Sequence, residues 1–171
     1  MAALWPCWRR QVMLRPMERI SAGLVMYRRR QGQLEFFLAH PGGPFAASKD
    51  HGYWTIPKGE PAPGEELLAV AQREFREETG LTPRGPFIPL GSIQQKGGKW
   101  VHAWGFEGDC TGPITSNTFR TEWPPDSGQY TEFPEVDRAE FFPLAEARKR
   151  LKTRQVPLIE RLAAHLESAD R

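Results

Sequence analysis

The order of apolar and polar positions along the chain predicts several short strands. Residues 20–29 and 34–40 are apolar, β-branched or aromatic runs, and the turn-prone segment 30–33 separates them. This arrangement is typical of a β-hairpin. Residues 86–95 and 99–109 flank a turn that contains two glycines, and they predict two more neighbouring strands.

Other segments have the period of a helix. The apolar residues that build one stripe after Gly64 are Leu67, Leu68, Ala71 and Phe75. Gly64 and the acidic pair after it suit a helix start, whereas Gly80 suits a helix end. Closer to the C-terminus, a strand near residues 138–143 precedes two amphipathic helices, 144–151 and 155–168.

Two connections lack either period. Residues 41–52 are rich in Gly and Pro and predict an exposed loop that leads into a short strand, 53–57. Residues 110–137 predict a loop of about 25 residues, and such a loop is uncommon in a compact domain unless it binds something. We therefore expect it to line a substrate pocket. Its polar and aromatic residues include Ser116, Asn117, Glu122, Trp123 and Ser127.

Length and composition indicate a single globular domain. The chain has 171 residues, 39% of them hydrophobic, which is enough for one buried core. We expect residues 1–18 to be a flexible N-terminal tail and residues 19–171 to form the domain. Because 23 Lys and Arg stand against 21 Asp and Glu, the charge favours neither a protein that coats nucleic acid nor an acidic solvating one.

Cysteine usage and hydropathy predict a soluble, cytoplasmic protein. Cys7 and Cys110 lie far apart and lack the spacing of metal ligands, so we expect reduced thiols, as in the cytosol. No apolar run approaches the roughly 18 to 20 residues of a membrane span, and we expect no membrane partner. The sequence leaves open whether the protein is a homodimer.

Candidate chemistry is concentrated in the helix after Gly64. Glu74, Glu77 and Glu78 lie within a sector of about 100° beside its apolar stripe, although like charges at this spacing repel. One interpretation is the solvated edge of a surface helix. The other is a hard-cation site, since carboxylates without Cys or His suit Mg²⁺ or Mn²⁺. Such a site usually acts on phosphates.

Residues 59–81 resemble the Nudix box, G-x5-E-x7-R-E-U-x-E-E-x-G-U, where U is a bulky apolar residue. Every fixed position is filled: Gly59, Glu65, Arg73, Glu74, Phe75, Glu77, Glu78, Gly80 and Leu81. Segments 21–29, 54–60 and 133–144 are also similar to this family in their order along the chain. The resemblance extends from about Ile20 to the C-terminus.

The resemblance implies the Nudix fold, an α/β fold in which a mixed β-sheet is sandwiched between α-helices. It also implies a pyrophosphohydrolase that cleaves a nucleoside diphosphate linked to another group, with Mg²⁺ or Mn²⁺ as cofactor. The implied metal ligands are Glu74, Glu77, Glu78 and the carbonyl oxygen of Gly59. Arg73 would orient the glutamates, and Glu65 would have a structural role at the helix start.

The family resemblance also implies a glutamate outside the box, about six residues before an aromatic on a late strand, as a metal ligand or general base. Glu135 stands six residues before Phe141 and is the first candidate. Glu132 and Glu140 are close rivals. A solvated loop carboxylate is the alternative interpretation of Glu135.

Several cationic and aromatic residues are candidates for substrate binding. Lys58 precedes the box glycine, where it could meet a polyphosphate, and Lys96 and Lys99 could do the same or simply belong to a charged turn. His102 and Trp104 share a strand face on which a base could stack, although a Trp in a strand is more often part of the core. Asn117 and Trp123 are the candidates in the long connection.

The substrate is therefore expected to be a small nucleotide, with dinucleoside polyphosphates or nucleoside triphosphates favoured by resemblance to diadenosine polyphosphate hydrolases. Oxidised nucleoside triphosphates, sugar nucleotides and capped or triphosphorylated RNA 5′ ends are alternatives within the same chemistry. A different class is a nucleotide-binding sensor or regulator with the Nudix fold and no catalysis, since a fold does not determine function. An RNA-binding adaptor has little support from the balanced charge.

Overall fold

A computed structural model describes residues 19–170 of the chain. The strands and helices are β1 (Ile20–Arg30), β2 (Gln33–Pro41), β3 (Lys58–Gly59), α1 (Leu67–Thr79), β4 (Ile88–Gln94), β5 (Trp100–Glu107), β6 (Thr118–Glu122), β7 (Tyr130–Pro134), β8 (Val136–Pro143), α2 (Leu144–Arg150) and α3 (Val156–Ala169). A 3₁₀ turn, Thr153–Gln155, precedes α3. Both predicted strand pairs and the three predicted helices are confirmed.

The main sheet has six strands in the order β4-β5-β1-β2-β8, with β3 paired to β1. The pairing of β1 with β5 is parallel, and the others are antiparallel. Residues Ser21 to Tyr27 of β1 are all buried, because helices cover both faces of this central strand. The predicted mixed sheet is therefore confirmed.

Two hydrophobic clusters lie on opposite faces of the sheet. The cluster under α1 includes Leu24, Phe37, Phe75 and Phe106. The cluster under α2 and α3 includes Trp54, Leu158, Ile159 and Leu162. Helix α3 approaches β5 so closely that a Cβ on Gly105 would lie 2.6 Å from the Leu162 side chain. Helices on both faces give the predicted α/β/α layers.

Helix α1 starts at the second residue of the predicted acidic pair, two residues after Gly64. Glu66 is the N-cap, and its carboxylate accepts from the N–H groups of Leu68 and Ala69, which satisfies two donors at the helix start. Gly64 has φ of 78° and belongs to the preceding turn. The predicted end is confirmed, since Gly80 has φ of 74° and donates to the carbonyl of Arg76.

The prediction of an irregular loop over residues 110–137 is wrong, because this connection contains a second sheet. Strands β6 and β7 pair antiparallel from Thr118 with Pro134 to Glu122 with Tyr130. The ring centroids of Phe119 and Phe133 are 6.2 Å apart, and cross-strand aromatic pairs stabilise a hairpin. Neither strand contains an apolar run, so its sequence lacks the pattern of a strand that packs on a core.

The predicted strand over residues 53–57 is also wrong. Thr55 and Trp54 make only isolated bridges, to Ala39 and Leu151 respectively. Pro57 cannot donate to a ladder, and regular pairing begins one residue later at β3.

Two sequence expectations fall outside the described residues. The predicted flexible tail, 1–18, and Cys7 lie there, so the prediction of the domain boundary stays a prediction.

Cys110 is a free thiol whose Sγ donates to the carbonyl of Gly112. Within residues 19–170, no helix is both long and apolar enough to cross a membrane.

Candidate active site

The site is built around β3, the two-residue strand that carries Lys58 and Gly59. It pairs with the start of β1, where Gly23 lies opposite Lys58 and Ala22 opposite Gly59. A Cβ on Gly23 would come within 2.6 Å of both the Lys58 Cβ and the Pro57 carbonyl oxygen. Only glycine permits this close approach, so Gly23 in β1 places Lys58 and Gly59 at the edge of the site.

Gly59 lies directly against the carboxylate of Glu74. A Cβ at position 59 would be 1.9 Å from the Glu74 carboxyl carbon and 2.1 Å from one of its oxygens. Real Cβ atoms do not approach other atoms so closely. The glycine that opens the box therefore leaves room for a carboxylate from α1, about two turns into the helix.

Arg73 connects the glutamates of the box to one another. Its Nε and Nη2 donate to the two oxygens of Glu65 at 2.9 and 3.0 Å, and its Nη1 donates to Glu74 at 2.6 Å and to Glu77 at 3.2 Å. Its Nη2 also donates to the Glu60 carbonyl at 3.3 Å. Arg73 therefore contacts two of the predicted metal ligands, and its orienting role stays a prediction. These bonds raise the pKa of Arg73.

Glu65 has the structural position expected of it. Besides its paired bonds with Arg73, its carboxylate accepts from the backbone N–H of Ala62 at 3.0 Å. These hydrogen bonds lower its pKa to about 2, with Arg73 as the largest cause. Glu65 thus holds the loop before α1 and Arg73 in one arrangement.

Glu78 lies on the side of α1 that faces Lys58. The backbone N–H of Lys58 donates to its Oε2 at 3.2 Å. Burial raises the pKa of Glu78 and the nearby carboxylate of Glu74 raises it further, while the charge of Lys58 opposes both. In turn, burial lowers the pKa of Lys58. The two side chains are therefore close enough to influence each other without an ion pair.

Glu135 is brought to the box by a row of backbone hydrogen bonds. Asn117 donates to the Glu77 carbonyl at 2.9 Å, Glu135 donates to the Asn117 carbonyl at 2.8 Å, and Gly42 donates to the Glu135 carbonyl at 2.9 Å. Partial burial raises the pKa of Glu135, and the carboxylates of Glu74 and Glu77 raise it further. Glu135 therefore faces the same carboxylates that were predicted as metal ligands.

The two rival glutamates lie elsewhere. Glu132 accepts from the hydroxyl of Thr118 across the β6–β7 hairpin. Glu140 is exposed on β8, opposite Leu38. The backbone of Glu135, by contrast, bonds Asn117, which bonds the Glu77 carbonyl, so the geometry favours Glu135 over both rivals.

The donor chemistry of this site fits a hard divalent cation. Glu74, Glu77, Glu78 and Glu135 supply oxygen ligands, with neither Cys nor His among them. Burial is the main cause of the raised pKa values of Glu78 and Glu135, and neighbouring carboxylates raise them further; a dication would neutralise this negative charge. Within residues 19–170, however, no three such side chains are gathered as a ready coordination shell, since Glu74 and Glu77 are bonded to Arg73 instead.

The predicted substrate residues on the sheet differ in their burial and in their distance from the glutamates. Lys58 is half-buried beside Glu78, whereas Lys99 is paired with Glu60 at 2.6 Å. His102 of β5 and Gly59 of β3 both lie opposite Ala22 of β1, so His102 is two strands from that glycine, roughly 10 Å at the usual strand spacing. Trp104 is partly buried and packs against the cluster under α1, so much of its surface belongs to the core.

The predicted residues of the long connection separate into two groups. Asn117 adjoins the box through its backbone, and Ser116 Oγ accepts from the N–H of Val136 at 3.0 Å. Trp123 follows the far end of β6 and packs edge-on against Phe45 at 5.4 Å between centroids. Glu122 accepts from the N–H of Gly128 in the hairpin turn. The described contacts of Trp123 and Glu122 are made away from the glutamates.

One buried residue near the site was missed by the sequence analysis. Gln155 Oε1 accepts from the N–H of Ile56 at 3.0 Å, and its amide also bonds the hydroxyl of Thr55. Gln155 thereby fixes the segment that leads into Lys58. No sequence signal identifies it, because the two positions lie about 100 residues apart.

Comparisons with known proteins place this geometry in context. The model of the NUDIX domain family matches residues 17–162. The chain is 42% identical over 62 residues to the asymmetrical bis(5′-nucleosyl)-tetraphosphatase of Caenorhabditis elegans, covering 36% of this chain and 41% of that protein. It is 39% identical over 67 residues to the protein of the same name from Mus musculus, covering 36% and 42%. The chain thus spans about two fifths of the length of these curated relatives.

Solved structures show the same fold. An Ap4A hydrolase of C. elegans in a binary complex has a TM-score of 0.64 at 23% identity, covering 88% of this chain and 98% of that one. The NUDIX domain of Shewanella oneidensis NrtR, complexed with ADP ribose, has a TM-score of 0.57 at 17% identity, covering 88% and 90%. At these identities the likeness establishes the fold alone.

Proposed function

The chain belongs to the NUDIX domain family, and from this premise we propose that it is a metal-dependent pyrophosphohydrolase. Its substrate would be a nucleoside diphosphate linked to another group, with dinucleoside polyphosphates favoured. The observation that carries the proposal is the position of Glu74 against Gly59, beside Glu77, Glu78 and Glu135. The contact of Glu74 with Gly59 and the influence of Glu74 and Glu77 on the pKa of Glu135 support a site where these carboxylates would hold a cation next to a phosphate.

Mg²⁺ or Mn²⁺ would be held by Glu74, Glu77, Glu78 and the carbonyl oxygen of Gly59. When bound, such an ion polarises a phosphoryl oxygen and neutralises the charge that develops as the phosphoanhydride bond breaks. Arg73 holds Glu74 and Glu77 in place by its hydrogen bonds. Lys58 supplies a positive charge for the phosphates at the edge of the site.

Glu135 is the proposed general base. A carboxylate whose pKa is raised accepts a proton more readily, and the pKa of Glu135 is raised by partial burial and by Glu74 and Glu77. Glu135 would take a proton from the attacking water as its oxygen bonds to phosphorus. The bridging oxygen then leaves with the electron pair of the broken bond, and two phosphate products form.

The preference for dinucleoside polyphosphates is supported by the two relatives that carry the name asymmetrical bis(5′-nucleosyl)-tetraphosphatase. Their similarity covers 36% of this chain, and this is why the substrate is part of the proposal. A nucleotide-binding sensor without catalysis, or a hydrolase of RNA 5′ ends, would give a different outcome in the same assay.

The test is a substrate panel with Mg²⁺ and with Mn²⁺, run in ¹⁸O-water. The panel contains bis(5′-adenosyl) tetraphosphate, ATP, ADP-ribose and a triphosphorylated RNA, and chromatography with mass spectrometry identifies which phosphorus gains the label. We expect AMP and ATP from the tetraphosphate, with turnover reduced at least about 100-fold in Glu135→Gln. Glu132→Gln and Glu140→Gln are matched controls and should retain wild-type turnover. Absence of hydrolysis for every substrate, or an equal loss in a control, would contradict the proposal.

A further inference from the structure

A cavity of about 570 Å³ lies between the turn after β4 and the segment that joins α2 to α3. Its lining residues are Gly52, Gln95, Lys96, Lys152, Thr153 and Arg154. Three of these six residues are cationic, and none of them is acidic. The cavity is separate from the four carboxylates of the active site, and none of its residues belongs to the box.

The positive charge of this cavity is uncompensated within the described part of the chain. Lys96 and Arg154 are exposed and Lys152 is half-buried, and no ion pair involves any of the three among residues 19–170. Cations that line one cavity without a counter-charge repel one another, and an anion bound there reduces this repulsion. Helix α3 begins directly after Gln155, so its N-terminus, which carries a partial positive charge, directly follows the lining segment along the chain. These features favour an anionic ligand.

One wall of the cavity is tied to the segment that enters the active site. Lys152 donates its backbone N–H to the Trp54 carbonyl at 2.8 Å, and Gln155 bonds the N–H of Ile56 at 3.0 Å. Ile56 lies two residues before Lys58. This wall is therefore hydrogen-bonded to the residues that directly precede Lys58 in the chain.

The opposite wall reaches the other end of the same segment. Gln95 donates its backbone N–H to the carbonyl of Lys99 at 2.8 Å, and Lys99 Nζ is paired with Glu60 at 2.6 Å. Glu60 directly follows Gly59. Both walls are thus bonded to the chain segment that contains Lys58 and Gly59, and the charges of Lys152 and Lys99 are close enough to act on the Lys58 ammonium.

We propose that this cavity binds the phosphate groups of the substrate that lie beyond the cleaved bond. The inference rests on the proposed function and adds a basis for substrate selection. A polyphosphate chain that starts at the glutamates and passes Lys58 enters a cationic cavity lined by Lys96, Lys152 and Arg154. Substrates with longer phosphate chains then gain contacts that shorter ones lack, so the cavity selects for chain length.

A binding experiment tests the cavity without catalysis. Isothermal titration calorimetry with inorganic tripolyphosphate in EDTA compares the wild type with Lys152→Glu/Arg154→Glu. The control, Arg30→Glu/Arg84→Glu, makes the same change in charge at two exposed residues outside the cavity. We expect about tenfold or greater weakening in the cavity variant and about twofold or less in the control, with thermal melts showing that both variants fold. No binding by the wild type, or equal weakening in both variants, would overturn the proposal.

A kinetic experiment separates failure of the cavity from failure of the proposed function. The values of kcat/KM for bis(5′-adenosyl) tri-, tetra- and pentaphosphate are compared in the same three proteins. The cavity variant should lose more with the tetra- and pentaphosphate than with the triphosphate. If hydrolysis is normal and the loss is independent of chain length, the cavity proposal is wrong and the function stands. If no substrate is hydrolysed but tripolyphosphate binds through Lys152 and Arg154, the function is wrong and the anion site stands.

Discussion

Two neighbouring regions of the molecule are held in place by different kinds of bond. In the box region, residues 58–80, side chains bond side chains, and Arg73 alone joins Glu65, Glu74 and Glu77. In the hairpin region, residues 115–136, the contacts to the box are made by the backbone. Thr115 donates to the Thr79 carbonyl at 3.0 Å, and two further backbone bonds join Asn117 to its neighbours on either side.

Because of this difference, side chains matter most in the box region and backbone hydrogen bonds matter most in the hairpin region. In the box region the residue types themselves carry the chemistry, so a substitution removes a ligand or its support. In the hairpin region the backbone positions Glu135, and side chains such as that of Asn117 remain exposed. Substitutions in the box region should therefore act on the chemical step, whereas most substitutions in the hairpin region should be tolerated unless they remove a backbone donor.

Among substitutions of residues that support the site and supply no carboxylate to it, the largest effect is expected for Gly59→Ala. The new Cβ would lie 1.9 Å from the carboxyl carbon of Glu74, so the carboxylate must move, and a displacement of about 1 Å at a reacting centre can cost about 100-fold in rate. We expect kcat/KM for bis(5′-adenosyl) tetraphosphate to fall by about that factor while the melting temperature changes little. Gly112→Ala is the control, because a Cβ there meets nothing within 4 Å. Full activity in Gly59→Ala would show that catalysis does not depend on the observed position of the Glu74 carboxylate.

A smaller but still clear effect is expected for Arg73→Lys. Lysine keeps the charge but cannot reproduce the forked bonds of Arg73 to Glu65. We expect a loss of about 10- to 100-fold in kcat, with a loss of about 1 kcal/mol in the free energy of unfolding, since Arg73 is 32% exposed. Arg76→Lys, at an exposed position of the same helix, should change neither quantity. If both variants behave alike in urea melts and kinetics, the box does not depend on Arg73.

The hairpin region is tested by two substitutions at one residue. Asn117→Pro removes the N–H that bonds the Glu77 carbonyl at 2.9 Å, and Asn117→Ala keeps it. We expect the proline variant to lose about tenfold in kcat/KM and the alanine variant to stay within about twofold of the wild type. An equal loss in both would mean that the Asn117 side chain itself contacts the substrate, as the sequence predicts.

The smallest effect is expected for Glu65→Gln, in the dependence of folding stability on acidic pH. The pKa of Glu65 is lowered from 4.5 to about 2 in the folded state, so the folded protein binds fewer protons there than the unfolded chain. Its stabilising contribution is complete above pH 4.5 and is lost as the pH falls towards 2. Urea midpoints measured over this interval should fall less steeply in Glu65→Gln than in the wild type. Parallel pH profiles would exclude Glu65 as a source of the acid sensitivity.

The sequence predicts the box region well because its information is local. Glu74, Glu77 and Glu78 lie within two turns of one helix, so helical geometry alone places them on one side. Gly80 ends that helix for an equally local reason, the left-handed conformation of the C-cap.

The remainder could not be predicted because it depends on contacts between distant positions. The β6–β7 hairpin contains charged residues such as Arg120 and has no apolar run, so nothing in its sequence distinguishes it from a loop. The cationic cavity joins Lys96 to Lys152 and Arg154, which are more than 50 residues away. Such pairings follow from the packing of α3 and the turn after β4 around the sheet, and no spacing in the sequence reports them.

The central claim is that the carboxylates of α1 form a cation site that hydrolyses a phosphoanhydride. The most direct measurement is the turnover of bis(5′-adenosyl) tetraphosphate with Mg²⁺ by the wild type, Glu77→Gln and Glu78→Gln, together with Mn²⁺ binding followed by electron paramagnetic resonance. The claim predicts that each variant folds, loses at least about 100-fold in kcat and binds Mn²⁺ more weakly. Wild-type turnover and unchanged Mn²⁺ binding in both variants would contradict it.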